Sequence, residues 1–174
     1  MNRVMIGRGM IAASLALGAI GSTIIDNAEG STAHMLAIAT WPPHALFHDA
    51  AMFLLLDSVS LICLWLLFRK SREPIVAARV ATIVVLAYWL PFFFITTLFP
   101  QASLMPESPV GMPYNMGNVG QWSPNVRQAT PFILGMPLYL NAAVAAWWIS
   151  IALIGYRVFS KAMRAGEVDP LWLP

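Results

Sequence analysis

Asp57 is the side chain in this sequence that most needs a chemical explanation. It falls in the middle of an apolar run, residues 45–68, long enough to cross a bilayer as a helix. At a rise of about 1.5 Å per residue it lies roughly 18 Å below the outer end of that helix. A carboxyl group at such depth has to be protonated, paired, or turned toward a polar cavity. Helical spacing puts Asp49, Phe53, Asp57 and Ser60 on one broad face. His48 stands about 180° from Asp57 on the same wheel, so the two do not pair within one straight helix.

Other apolar segments offer groups at comparable depth. Tyr88 is near the centre of one, with Pro91 beyond it set to kink the helix, and Asn141 and Ser14 are near the centres of two more. Trp89, Phe92, Tyr139 and Trp147 would supply aromatic walls. Two readings of Asp57 stand side by side. In one it is a neutral structural tie to Tyr88, Asn141 or a serine. In the other it binds a ligand or exchanges a proton in a pocket lined by Asp26, Tyr88, Trp89, Tyr139, Asn141 and Trp147.

A second polar cluster comprises Asp26, Glu29, His34, His44, His48 and Asp49, and it holds all three histidines of the chain. His44 and His48, four apart, have the spacing of a metal-binding pair, with Asp26 or His34 to complete the set. Capping of a helix start and acid–base work at a pocket mouth are the competing roles, since histidine titrates near neutral pH. No glutamate follows His44, so the zinc-protease pattern is absent. Haem would want axial ligands on facing helices, which histidines gathered in one segment do not provide. No cofactor is expected, and no phosphate loop, nucleophile elbow, dinucleotide fingerprint or nucleic-acid-binding basic stripe occurs.

The elements that position these groups follow from composition. Of 174 residues, 59% are apolar and 10% charged, against roughly 25% charged in ordinary soluble chains. Four stretches are close to or above spanning length, about 9–25, 45–68, 76–99 and 131–158. They predict an all-α, four-helix transmembrane bundle forming one integral membrane domain over 1–174, with long outer loops at 26–44 and 100–130. Arg3 and Arg8 precede the first stretch, which makes a signal peptide the rival reading, but no small-x-small cleavage pattern follows. Its Ser14, Gly18 and Ser22 recur every fourth residue, a close-packing face between membrane helices. The lone cysteine, Cys63, lies within an apolar run and reads as a small hydrophobe.

Positive residues set the orientation. Arg3, Arg8, Arg69, Lys70, Arg72, Arg157, Lys161 and Arg164 fall at one set of helix ends, while the two long loops hold only Arg127. A multi-pass protein of the cell membrane with both termini cytoplasmic is expected. Arg79 is placed to snorkel to the headgroups on that side. Pro106, Pro109, Pro113, Trp122 and Pro124 read as a cap on the opposite surface, and Trp41 and Trp122 fit its aromatic belt, with Trp172 at the inner one.

The run Trp41-Pro42-Pro43-His44-Ala45-Leu46-Phe47-His48 resembles the W-P-P-H-x-x-F-H signature of an uncharacterised family of small membrane proteins. There it follows a D-W-N-x-T-H-like segment. Here Asp26-Asn27-Ala28-Glu29-Gly30-Ser31-Thr32-Ala33-His34 keeps the acid and a threonine near the histidine but lacks the tryptophan and the spacing. More distantly, the four-helix layout is similar to the EXPERA superfamily of sterol isomerases and sigma-2-type receptors. Its members have an acid after helix one, a polar-faced helix two and a pocket within the membrane, and Asp26 and the His48/Asp49 region fall at comparable places. The isomerase pattern of histidine followed four residues later by glutamate is not met, because Met52 stands there, and Val144 takes the place of a tryptophan after Asn141.

Residues and resemblance together lead to the expectation of a pocket, open to the outer side, for a hydrophobic or sterol/terpenoid-like small molecule. If the site is catalytic, proton-transfer isomerisation with Asp57, His48 and Asp49 as the acid–base set is the chemistry these residues support. The alternatives are a non-catalytic accessory subunit of a larger membrane complex, motivated by the small-residue faces, and metal binding by the histidines. Expected partners are the lipid bilayer, the small molecule, and further copies or other subunits of a complex.

Overall fold

The computed structural model describes residues 2–27, 43–94, 132–133, 136–137 and 140–169. Tyr139 and most of the two long loops lie outside the described residues, as do the side chains of Asp26, His44, Asp49 and Asn141.

The first helix begins as α1 (Arg3–Ala13), passes through a π-helical stretch at Ser14–Ile20, and ends as α2 (Gly21–Asn27). Asn2 caps it, its Oδ1 accepting from the Val4 N–H at 2.8 Å. The cap moves the helix start well ahead of the expected residue 9. α3 (Pro43–Phe68) and α4 (Pro74–Trp89) each open on a proline, whose missing N–H costs nothing in a first turn. Ser71 Oγ accepts from the Glu73 N–H at 3.0 Å in the short hairpin between them. α4 does not run to residue 99 as regular helix. Pro91 cannot donate to the ladder, and the chain tightens into a 3-10 turn at Leu90–Phe93.

The last helix also differs from expectation. Residues from 131 do not start it: β1 (Phe132–Ile133) pairs antiparallel with β2 (Met136–Pro137), and α5 runs from Leu140 to Arg164. Pro137 is a poor residue for a helix interior, which favours the later start. At its other end Gly166 takes φ 78°, with Glu167 N–H on Ala162 O and Gly166 N–H on Met163 O, both 3.1 Å. These are the two bonds of a Schellman cap, and they turn the tail back toward the bundle.

Four helical stretches among the described residues are long and apolar enough to span a membrane: Arg3–Ile24, Ala50–Phe68, Pro74–Phe93 and Ala143–Arg164. The protein is an all-α four-helix transmembrane bundle. Large apolar side chains such as Leu54, Leu55, Leu61, Ile62 and Trp65 face outward, as a lipid environment requires.

Small residues bring the first and last helices together. Val4, Gly7, Ile11, Ser14 and Gly18 are buried on one, and Ala145, Ala152, Gly155, Phe159 and Ala162 on the other. The first set advances by alternating steps of three and four residues, and the second by a step of seven and then by three, four and three, the spacing of a coiled seam. At its tightest point a Cβ on Gly7 would lie 2.6 Å from Gly155 O, and a Cβ on Gly155 2.9 Å from Gly7 O. The backbones touch there without side chains between them. α4 closes the bundle through Ala78, Ala81, Thr82, Val85 and Trp89.

Candidate functional site

On α3, Phe53 and Ser60 are buried and Asp57 between them is half-buried, so this face turns toward the bundle. Thr23 Oγ1 donates to Asp57 Oδ1 at 3.0 Å. The sequence alone points to Tyr88, Asn141 or a serine for this role. Tyr88 instead packs edge-on against Trp89, ring centroids 4.6 Å apart, and against Phe92 at 6.0 Å. Ser14 donates to Met10 O at 3.1 Å and to Trp148 O at 3.4 Å, a tie between the first and last helices.

Trp89 is 4% exposed and Ser60 0%. Among the described residues, neither Trp89 Nε1 nor Ser60 Oγ has a hydrogen-bond partner. Buried polar groups left this way are uncommon and mark the places where a small molecule or water finds partners. Together with the Asp57 carboxyl they put three polar groups on the inner faces of α3 and α4.

The other expected site residues are dispersed. His48 is exposed, its ring edge-on to Phe47 at 5.6 Å, in keeping with a direction away from Asp57. Trp147 is 64% exposed and faces outward, apart from the polar groups on α3 and α4. Cys63 is buried, as expected of a small hydrophobe. A shallow groove of about 570 Å³ lies elsewhere, on the lipid side of the first and last helices, lined by Met5, Ile6, Gly9, Met10, Ala13 and Ile151. Among the described residues no three metal-ligating side chains gather, and His34, His44 and Asp26 fall outside that description.

A second polar centre lies at the arginine-rich end, where the sequence shows only flanking charges. Arg8 is 0% exposed, and its Nη1 donates to Asp169 Oδ1 at 2.8 Å while Nη2 pairs with Oδ2. Phe68 and Phe159 flank the guanidinium, ring centroids 5.8 and 5.4 Å from Cζ. Asn2 Nδ2 donates to Val168 O at 2.9 Å, and Arg3 pairs with Glu167. Three successive tail residues thus grip the start of the first helix. The available sequence signal was position. Arg8 sits beside Gly7 and Ile11 on the buried seam, where a charge demands an acid. At the same end Arg79 Nε donates to Tyr156 OH at 3.1 Å and Arg69 lies over the Trp65 ring at 4.8 Å.

Comparison of the chain with protein-family models, with curated proteins and with solved structures finds no match. Its chemistry rests on the side chains themselves. Of the two polar centres, the Arg8 site is filled by its own tail. Asp57 has a neutral hydroxyl as its described partner, and that arrangement accepts a proton, an ammonium or a second hydroxyl.

Proposed function

We propose that this membrane protein binds a hydrophobic or amphipathic small molecule, of sterol or terpenoid type, in the half of the bundle that contains Asp57. The observation that carries the reading is a half-buried carboxyl inside a membrane span, hydrogen-bonded to Thr23. Ionisable groups at such depth are costly and mark functional sites unless fully paired. The buried Ser60 and Trp89 polar atoms on the neighbouring faces support it, and it is the activity class that a resemblance to sterol isomerases and sigma-2-type receptors would imply. A ligand hydroxyl or ammonium would bond Asp57 while its apolar body lies among aromatic side chains. The same carboxyl is the group that would carry a proton in an isomerisation.

The cation-rich end lies in the cytoplasm in this reading, because arginine and lysine bias sets membrane orientation. A reporter active only in the cytoplasm, fused after residue 174, is expected to be active, and one active only outside is expected to be silent. The reverse result would invert the topology.

Binding is tested on protein in nanodiscs with farnesol and its tertiary-amine counterpart as probes, each corrected for uptake by empty discs. Asp57→Asn is expected to weaken amine retention about tenfold or more, since a hydrogen bond to a charged group contributes about 1.5–3 kcal/mol. Equal retention by wild type and variant would remove Asp57 from the site.

A further inference from the structure

The π-helical stretch joins two parts of the first helix that are held very differently. On one side, α1 is fixed by the Gly7–Gly155 backbone contact and by the tail residues 167–169. On the other, α2 carries Thr23 to Asp57. Between them the Gly21 N–H bonds Ala16 O, five residues back rather than four. Such a turn holds one residue more than an α turn, and π-helical turns of this kind recur at functional sites. Rewinding it as α-helix would turn everything beyond it by about 100° and advance it by about 1.5 Å, one residue's worth of helix. Because α1 is pinned, that motion emerges in α2.

A slip of one residue places each side chain where its successor stood. Ser22 would replace Thr23 against Asp57, Gly21 would take the place of Ser22, and Thr23 that of Ile24. Every one of these three positions receives a smaller side chain, and the position facing Asp57 keeps a hydroxyl. In the structure the Ser22 hydroxyl is held in reserve on Gly18 O, inside the π-helical stretch. We infer that Ser14–Ile20 is a register gate. The wound-out form, with Thr23 on Asp57, is closed. The α form, with Ser22 on Asp57, opens space beside the carboxyl without stripping it of its donor. The gate acts on the site proposed above, but its motion does not depend on any ligand.

The test uses nitroxide labels at Ile24→Cys and Leu54→Cys, both outward-facing positions at 65% and 68% exposure, in a Cys63→Ser background in nanodiscs. Thr23→Val removes the closed-form donor and is expected to shift the interlabel distance distribution to a second maximum several ångströms away. Deleting Leu17, a 62% exposed residue within the stretch, removes the surplus residue and is expected to hold the first maximum even with Thr23→Val. One unshifted maximum in the Thr23→Val protein would overturn the gate. Retention of the same tertiary amine is read in parallel, and the Leu17 deletion is expected to reduce it about tenfold. Shifted distances with no amine retention in any protein would retire the ligand and leave the gate standing.

Discussion

Leucine in place of Gly155 is expected to abolish the folded bundle, whereas leucine in place of Gly9 is expected to leave it intact. The two glycines differ in what surrounds them. A Cβ on Gly155 would stand 2.7 Å from Met10 Cβ and 2.9 Å from Gly7 O, and one on Gly7 would stand 2.5 Å from Phe159 N. These neighbours are backbone or the first atom of a side chain, so no rotamer change relieves the overlap. The helices would have to separate along the whole seam from Val4 to Gly18. Crowding of a packed interior costs about 1–3 kcal/mol when side chains can adjust. With backbone in the way, the cost is expected at about 3 kcal/mol or more, a large part of the stability of a small domain. Gly9 has nothing within 4 Å of its Cβ direction and faces the lipid-side groove. Its replacement is expected to change stability by no more than about 1 kcal/mol, with helix propensity favouring the leucine. Thermal unfolding in mild detergent compares the two, and equal midpoints would show that the backbone contact does not hold the bundle.

Arg8 and Asp169 give the second large effect, and here the pattern among variants matters more than any single value. Arg8→Met leaves a buried carboxylate without its counter-charge, and Asp169→Leu leaves a buried guanidinium. Each is expected to cost about 3–5 kcal/mol. The double variant Arg8→Met/Asp169→Leu removes both charges and fills the volume between Phe68 and Phe159, and is expected to return to within about 1 kcal/mol of the wild type. Arg3→Met, which removes a 63% exposed side chain from its pair with Glu167, is expected to cost at most about 1 kcal/mol. If the double variant were as unstable as either single one, the pair would be contributing net attraction rather than satisfying a charge already committed to the interior.

Four spans and their common charged end were legible because a bilayer imposes a length and a composition that few other constraints mimic. The exceptional character of Asp57 was legible for the same reason. What the sequence concealed were contacts set by backbone geometry between distant segments. Thr23 meets Asp57 through a helix whose winding changes at Ser14–Ile20, and a wheel drawn at constant pitch misplaces every residue beyond that stretch. In the sequence Arg8 reads as a flanking charge, because arginines before a span usually are. Asn2 extends the helix ahead of it, which moves Arg8 from the flank into the interior. The role of Asp169 is not legible in the sequence because its position depends on the left-handed turn at Gly166, a local event beyond the apolar run. The small-residue face at Ser14 and Gly18 was recognised as a packing face. Its partner is Trp148 of the same chain: Ser14 bonds Trp148 O, and a Cβ on Gly18 would lie 3.0 Å from the indole.

The tail contact also dictates an order of manufacture. Arg8 and the aspartate that neutralises it are separated by 161 positions in the chain. During synthesis the first helix therefore enters the bilayer before Asp169 exists, and the Arg8–Asp169 pair forms only once the fourth span has been made and the Gly166 turn is in place. Until then Arg8 can keep its charge hydrated only by sitting nearer the water than it does in the finished bundle. Final seating of the first helix at Arg8 is thus tied to completion of the chain.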